Sequence, residues 1–399
     1  MSKPAILCIA SYFKGEAFIE EAKRQGCRVL LLTEERLAHS PWPHDAIDEF
    51  HLTPDLSNER WIINTVSYLC RERRMDRIVP LDEYDVPMAA ALREHLQIPG
   101  MGESITRRFR DKLAMRVSAR EAGLPVPEFI GVLNYDRLHG FMTQVPPPWL
   151  LKPRTEAGAM GIKRIDNPDA LWHWLDQLGD EQSFFLLEQY LPGDVYHVDS
   201  LVWDGAVVFA SVQQYGQPPL NVAHEGGVFI TRTLPDESDD AQALRQLNDR
   251  VLRALGMTRG ATHAEYIKSH ADGQFYFLEV AARVGGAHIA DLIEHAAGIN
   301  LWAEWARIVA ADARGEVYRL PETKKVYAGL LVCLAKQEYP DLNAYDDPEV
   351  VWTLRKKNHA GLIVASPDFE RMQTLLDSYA QRFAEDFLAY APPKDKPTE

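Results

Sequence analysis

Two glutamates and an arginine raise the first question of chemistry. In "ATHAEYIKSHADGQFYFLEVAARVGG" (residues 261–286), Glu265 and Glu279 each interrupt an apolar run, and Arg283 with Gly285-Gly286 follows the second. The simplest turn between the runs is a three-residue loop, Ala271-Asp272-Gly273, with Gly273 left-handed and a bulge after it. That register sets His270 opposite Gln274, Tyr266 opposite Leu278 and Glu265 opposite Glu279. A slip of one residue would instead send the two glutamates to opposite faces. Like charges facing each other across a ladder destabilise it unless something offsets them. A divalent cation does so. Mg2+ prefers hard oxygen ligands, takes one or two protein carboxylates and completes its shell with water and substrate phosphates.

If such an ion carries a phosphate-bearing ligand, cations and flexible backbone must exist elsewhere. Lys152 sits in the apolar run Trp149–Pro153, where a buried lysine needs an anionic partner. The loop Glu156–Gly161 follows, and Gly158 and Gly161 allow backbone N–H groups to approach phosphate oxygens. Lys112 opens a basic stretch and can supply a second charge. Singly, each has an ordinary explanation as a snorkelling or solvated lysine or a hairpin glycine. Together with the carboxylate pair they point to a nucleotide.

The elements that must position these groups read as follows. Ala5–Ala10, Arg28–Thr33 and Arg77–Leu81 are short buried strands, separated by helices at Glu16–Gln25 and Asn58–Arg73, with Asn58 as a cap. This β-α-β-α-β rhythm predicts a parallel, doubly wound sheet. The turn after the first strand, SYFKGEAF, lacks a G-x-G-x-x-G fingerprint, which disfavours dinucleotide binding there. A boundary falls near residue 105. A basic helix then ends at Gly123-Leu124-Pro125, and Pro146-Pro147-Pro148 makes a second break. The stretches "WLLKPRTEAGAMGIKRI" and "SFFLLEQYL" supply strands around the glycine loop, and "YHVDSLVWDGAVVFASVQQY" is a hairpin turning at Asp204-Gly205. From about Tyr327 a last unit holds the strands VYAGLLVCL and HAGLIVAS and a helix over Phe369–Leu388, before a disordered tail, APPKDKPTE.

Bulk properties narrow the classes. A chain of 399 residues is long enough for two to four subdomains. An apolar fraction of 46% and a charged fraction of 25% are those of a soluble globular protein. A net charge of −15 argues against nucleic-acid or anionic-membrane partners, so any bound anion needs a local basic site. The cysteines Cys8, Cys27, Cys70 and Cys333 are scattered, which suits a reducing compartment better than a disulfide framework or zinc site. With no signal-like start and no long apolar run, a cytoplasmic location is expected.

In chain order, DKLAMR…AGLPVPEF, LLKP…EAGAMG, LLEQYLPG, AEYI and LEVAAR followed by GG resemble the motifs of the ATP-grasp superfamily, in the branch of carbamoyl-phosphate synthetase, biotin carboxylase and the amino-acid ligases. The resemblance runs over residues 105–310. It implies an α/β ATP-grasp fold with an N-terminal doubly wound parallel domain (1–104), a subdomain with the glycine-loop lid (105–186), a subdomain with the metal site (187–312) and a C-terminal α+β extension (313–399). By position, Lys112 and Lys152 resemble the lysines on the α- and β-phosphates, and Glu156 to Gly161 the mobile loop over them. Glu188 and the Gln189 carbonyl would meet the adenine amino group, and the Leu191 N–H a ring nitrogen. Glu265 and Glu279 resemble the Mg2+ ligands, with Mn2+ as the alternative ion, and Arg283 the residue that steadies the transferring phosphate or acyl phosphate, alongside Lys152. Two positions depart from the pattern. Ala281 stands where Asn or Asp is usual, and Val195 stands at the usual ribose contact, leaving Asp194 or His197 to substitute.

The implied activity is an ATP-dependent carboxylate–amine ligase that forms an amide through an acyl phosphate, with amino acids as substrates. The rival readings are a carboxylase or purine-pathway type of enzyme acting on bicarbonate or a small acid, and a non-catalytic ATP-binding module, to which Ala281 gives its one support. Residues 221–235 are expected over the acceptor site, offering His224 and Arg232. Ser11, Tyr12 and Glu83 are the expected contributions of the first domain, and a homodimer is the expected assembly, by analogy with relatives.

Overall fold

The computed structural model of the protein describes residues 3–220, 222 and 226–390. Its first sheet is parallel, ordered β3-β2-β1-β4, from β1 (Ala5–Ala10), β2 (Arg28–Glu34), β3 (Glu49–Thr53) and β4 (Arg77–Pro80). Every residue of β1 is buried because both faces are covered, as an unbroken apolar strand requires. Ile6, Cys8 and Ala10 pack towards the helices Glu16–Arg24 and Leu301–Arg314. Leu7 and Ile9 pack towards Glu59–Leu69 and Val86–Leu96. The Asn58 side chain caps the helix after it by accepting the Trp61 N–H (3.1 Å). The edge strand β3, EFHLT, is mostly half-buried and lacks an apolar run, which is why its sequence does not announce it.

A second sheet, antiparallel and ordered β5-β8-β6-β7, is built from β5 (Phe129–Gly131), β6 (Trp149–Pro153), β7 (Lys163–Ile165) and β8 (Phe185–Gln189). Trp149, Leu151 and Leu187 pack with Leu138 and Leu171 of the helices Tyr135–Gln144 and Pro168–Leu178.

The third sheet is antiparallel and eight-stranded: β13-β12-β9-β10-β11-β14-β16-β15. Its strands are β9 (Gly193–Trp203), β10 (Ala206–Tyr215), β11 (Phe229–Thr233), β12 (Gly260–Ser269), β13 (Phe275–Ala281), β14 (Tyr327–Leu334), β15 (Val350–Thr353) and β16 (His359–Ser366). The β9–β10 hairpin turns through Asp204 and Gly205, both at positive φ. The last strands of the chain extend the sheet that carries the carboxylates, through pairing of β11 with β14. Glu265 faces Glu279 as expected, but Tyr266 pairs with Phe277, not Leu278. The turn is one residue longer than its simplest form, because the Ser269 N–H donates to the Gln274 carbonyl (2.9 Å) and the His270 N–H to the Pro192 carbonyl (2.9 Å). Asp272 accepts the Gln274 N–H (3.0 Å), and a bulge between residues 265 and 266 and their partners restores the register. Among the described residues no helix is long and apolar enough to cross a membrane. The tail expected to be disordered, and His224, lie outside the described residues.

Candidate active site

A cavity of 490 Å³ lies between the second and third sheets and takes in Glu83 from the first domain. That volume suits a small-molecule site. Alternation along β12 turns His263, Glu265 and Ile267 towards it, and along β9 Gly193 and Val195. Lys112, Arg116, Lys152, Arg283, Glu188 and Glu279 also line it. Widely separated segments thus converge on one charged pocket.

The facing carboxylates are held apart by different partners. Glu279 lies 3.0 Å from the Lys112 ammonium. Burial, with Glu83 nearby, pushes its carboxyl up, but Lys112 and Lys152 together outweigh them and hold it below the ordinary range. Glu265 accepts the Tyr215 hydroxyl (2.9 Å), and burial drives that phenol well above its usual value, keeping it a donor. Two carboxylates side by side on a cavity wall, with neighbouring lysines, fit Mg2+ shared with phosphate oxygens. Ala281 lines the same wall and offers no ligand atom.

Lys112 also donates to the Glu156 carbonyl, which joins the glycine loop to the carboxylate wall. Glu156 in turn accepts the Tyr84 hydroxyl (3.2 Å) from the first domain. Glu156 and Gly158 line the cavity, whereas Gly161 does not. Gly161 instead makes the turn: its φ is +68°, and a Cβ there would meet Pro153 Cγ at 2.8 Å.

Lys152 has the anionic partner that its setting demands. Its ammonium donates to Glu188, whose other oxygen accepts from Arg116 Nε (2.7 Å). Burial raises the Glu188 carboxyl, but Arg116 and Lys152 outweigh it and hold it below the usual range. Glu188 therefore spends both oxygens on cations, and Gln189 and Leu191 complete the wall beside it. Arg116 lines the cavity and pairs with Glu188, and the motif reading passed it over. Its signal is its spacing, four residues after Lys112 on one helix face.

Arg283 donates through Nη2 to Glu83 (2.6 Å) and through Nη1 to the Val284 carbonyl (2.8 Å), while its buried Nε has no partner. That Nε is thus a buried donor without a partner among the described residues. Glu83 is also 3.3 Å from Arg110; burial raises its carboxyl, but Arg283, Arg110 and Lys112 together hold it low. Of the three first-domain residues expected at the pocket, Glu83 arrives, while Ser11 and Tyr12 are not among its lining.

Three expectations need correction. Asp194 alternates away from the cavity and faces His270 (3.4 Å). His197 points the right way but is fully buried under Tyr215, with ring centroids 4.5 Å apart, and is bonded to Asp199 and Thr231. Neither is among the residues that line the cavity. Arg232 projects opposite to its neighbour Thr231, to the far face of the sheet, where it donates to Gln214 (2.7 Å).

This fold, with its cationic cradle and carboxylate pair between two sheets, is that of a nucleotide-clamping ligase class. The sequence matches the ATP-grasp N-terminal domain over residues 19–100 and the ATP-grasp domain over residues 145–291, and the chain belongs to the ATP-grasp superfamily. It is 25% identical over 293 residues to the L-arginine-specific L-amino acid ligase of Bacillus subtilis, a match spanning 71% of this chain and 70% of that one. Its fold superposes on the L-amino acid ligase of Bacillus licheniformis with a TM-score of 0.73 at 18% identity, covering 98% of this chain and 100% of the other. The N5-carboxyaminoimidazole synthetase of Staphylococcus aureus, solved with ADP, gives 0.70 at 17% identity, covering 95% and 98%. At such identities the structural likenesses establish the fold.

Proposed function

We propose that this chain is an ATP-dependent ligase that joins a carboxylate to an amine, with amino acids as the substrate class and ADP and phosphate as products. The observation that carries this reading is the facing Glu265–Glu279 pair beside Lys112, in one cavity with Lys152 and an Arg283 that keeps a donor free. The similarity to an amino acid ligase supports the substrate class. A module that only bound nucleotide would have no need for Arg283 to be fixed by Glu83 close to Glu279.

Glu265 and Glu279 would hold Mg2+, which when bound neutralises charge on the nucleotide phosphates. Lys112 and Lys152 hold the phosphate tail, and Glu188 with Arg116 keeps Lys152 in place. A carboxylate oxygen of the first substrate attacks the γ-phosphorus, the bond to the β-phosphate oxygen breaks and ADP leaves. Arg283 Nε and the glycine-loop backbone donate to the oxygens on which negative charge develops. The amine then attacks the acyl carbon, the C–O bond to phosphate breaks, and the amine proton passes to solvent or to phosphate. No protein nucleophile is required, because positioning and charge stabilisation carry phosphoryl transfer.

The test is ADP and phosphate release from ATP and Mg2+ over a panel of amino acids and small acids, with hydroxylamine as a generic amine. Release tied to particular amino acids, with hydroxamate formed, is the expected result. ADP release driven by bicarbonate alone would replace this reading with the carboxylase type. ATP binding without release on any acid would replace it with the non-catalytic module.

A further inference from the structure

Beneath the cavity floor, the row of polar side chains that holds Glu279 and Glu265 continues into buried groups that the steps above do not use. In the strand register Glu279, Glu265, His197 and Gln213 stand side by side across β13, β12, β9 and β10. One step along the strands stand Ala281, His263, Asp199 and Ser211. Asp199 is fully buried and ties two imidazoles together, with His197 Nδ1 at 2.7 Å from one oxygen and His263 Nδ1 at 2.9 Å from the other. His197 passes the chain on to the Thr231 hydroxyl (2.7 Å), and His263 presents Nε2 to Glu265 (3.6 Å). The ligand-type atoms of His197, Asp199 and His263 lie within 4.8 Å of one another. Both ring Nδ1 atoms face Asp199, so the three side chains form one hydrogen-bonded relay.

The same pair is also a seat. A Cβ on Gly285 would lie 2.7 Å from Asp199 Oδ1 and 3.0 Å from His263 Nδ1. Gly285 follows Arg283 by two residues, so the loop that presents the guanidinium rests directly on the Asp199–His263 pair. One buried carboxylate therefore stands behind both halves of the site, the Glu265 side and the Arg283 side. Groups that hold metal ligands from behind typically change metal affinity 10- to 100-fold when removed.

We propose that Asp199 is the positioning residue of this site, fixing the His263 ring so that it supports Glu265 and forms with that ring the seat of the Arg283 loop. The inference rests on the reading of Glu265 as a metal ligand. The test uses the full chain with ADP and Mn2+, and follows free Mn2+ by electron paramagnetic resonance. Asp199→Asn keeps the size and one acceptor but removes the charge. It should weaken Mn2+ binding roughly 10- to 100-fold, with ADP binding in EDTA unchanged and kcat lowered more than the KM for ATP is raised. A merely structural Asp199 would lower the melting temperature and leave Mn2+ affinity in the folded variant alone. Folded Asp199→Asn that binds Mn2+ within about twofold of wild type overturns the inference. Should that variant fail to fold, His263→Gln decides in the same assay by the same criterion. Glu265→Gln separates the two levels. If it loses Mn2+ while Asp199→Asn does not, only the positioning role falls; if it binds Mn2+ normally, the reading of the site falls with it.

Discussion

Glu188→Gln isolates the buried charge network that holds Lys152. The wild-type carboxylate sits between Arg116 and Lys152, and the Arg116 and Glu188 side chains are each only 1% exposed. Glutamine has the same shape but offers one acceptor and one donor, so one cation must face an N–H group. Removing one partner of a buried ion pair leaves an uncompensated charge and costs about 3–5 kcal/mol. The retained acceptor places this substitution near the lower end, about 3 kcal/mol. Because Glu188 lies in β8 and Lys152 in β6, the loss should appear locally, as faster amide hydrogen exchange in segments 149–153 and 185–189. A 3 kcal/mol loss corresponds to an acceleration on the order of 10²-fold. The parallel sheet of the first domain should exchange as in wild type. The wild-type carboxyl is held below its ordinary value, so the network persists on acidification until pH falls through that depressed value, and only then should the two proteins converge. Exchange in β6 and β8 that rises by less than about fivefold, a loss of about 1 kcal/mol, would refute the network as a structural support.

Three further substitutions test other parts of the structure. Gly193→Ala places a Cβ 2.3 Å from the Lys268 carbonyl oxygen and 2.7 Å from Ile267 Cγ1, so it should cost about 1–3 kcal/mol by overpacking; thermal melting reads the loss, and the KM for ATP should rise because Gly193 lines the cavity. Burial pushes the Asp85 carboxyl from 3.8 up to about 7, with Asp82 adding to the rise. Its folded form binds the proton more tightly than the unfolded chain, so Asp85 lowers stability as pH rises from about 4 to about 7, and Asp85→Asn should raise the melting temperature at pH 8 with a gain that shrinks towards pH 4. Arg283→Lys cannot keep donors on both Glu83 and the Val284 carbonyl and loses the unpartnered Nε, and should lower kcat by about 10²- to 10³-fold with little change in ATP affinity; steady-state kinetics separate the two parameters.

Local signals were legible where one residue type meets one physical demand. The unbroken apolar run of β1 reads as a strand covered on both faces, and glutamates that interrupt apolar strands call for a compensating charge nearby, which Lys112 supplies to Glu279. The facing of Glu265 and Glu279 is readable from the turn at Gly273, although the loop is longer and a bulge absorbs the extra residue. The half-buried edge strand β3 was not readable, since its pattern carries no apolar periodicity. The fates of Asp194, His197 and Arg232 were hidden for another reason. Which way a strand residue points depends on its partners, and these three positions are resolved only once β9, β11 and their neighbours are laid in register. Gly285 looks in the sequence like a hinge, and the structure gives it a further cause, the close approach to Asp199 and His263.

The most direct test of the central claim is oxygen transfer. A substrate amino acid labelled with 18O in its carboxylate, turned over with ATP, Mg2+ and an amine, should deliver one labelled oxygen to each phosphate released, with ADP as the nucleotide product. Phosphate free of label, or label appearing in AMP, would contradict attack of the carboxylate on the γ-phosphorus and with it the assignment of Lys112, Lys152, Glu265, Glu279 and Arg283 to that step.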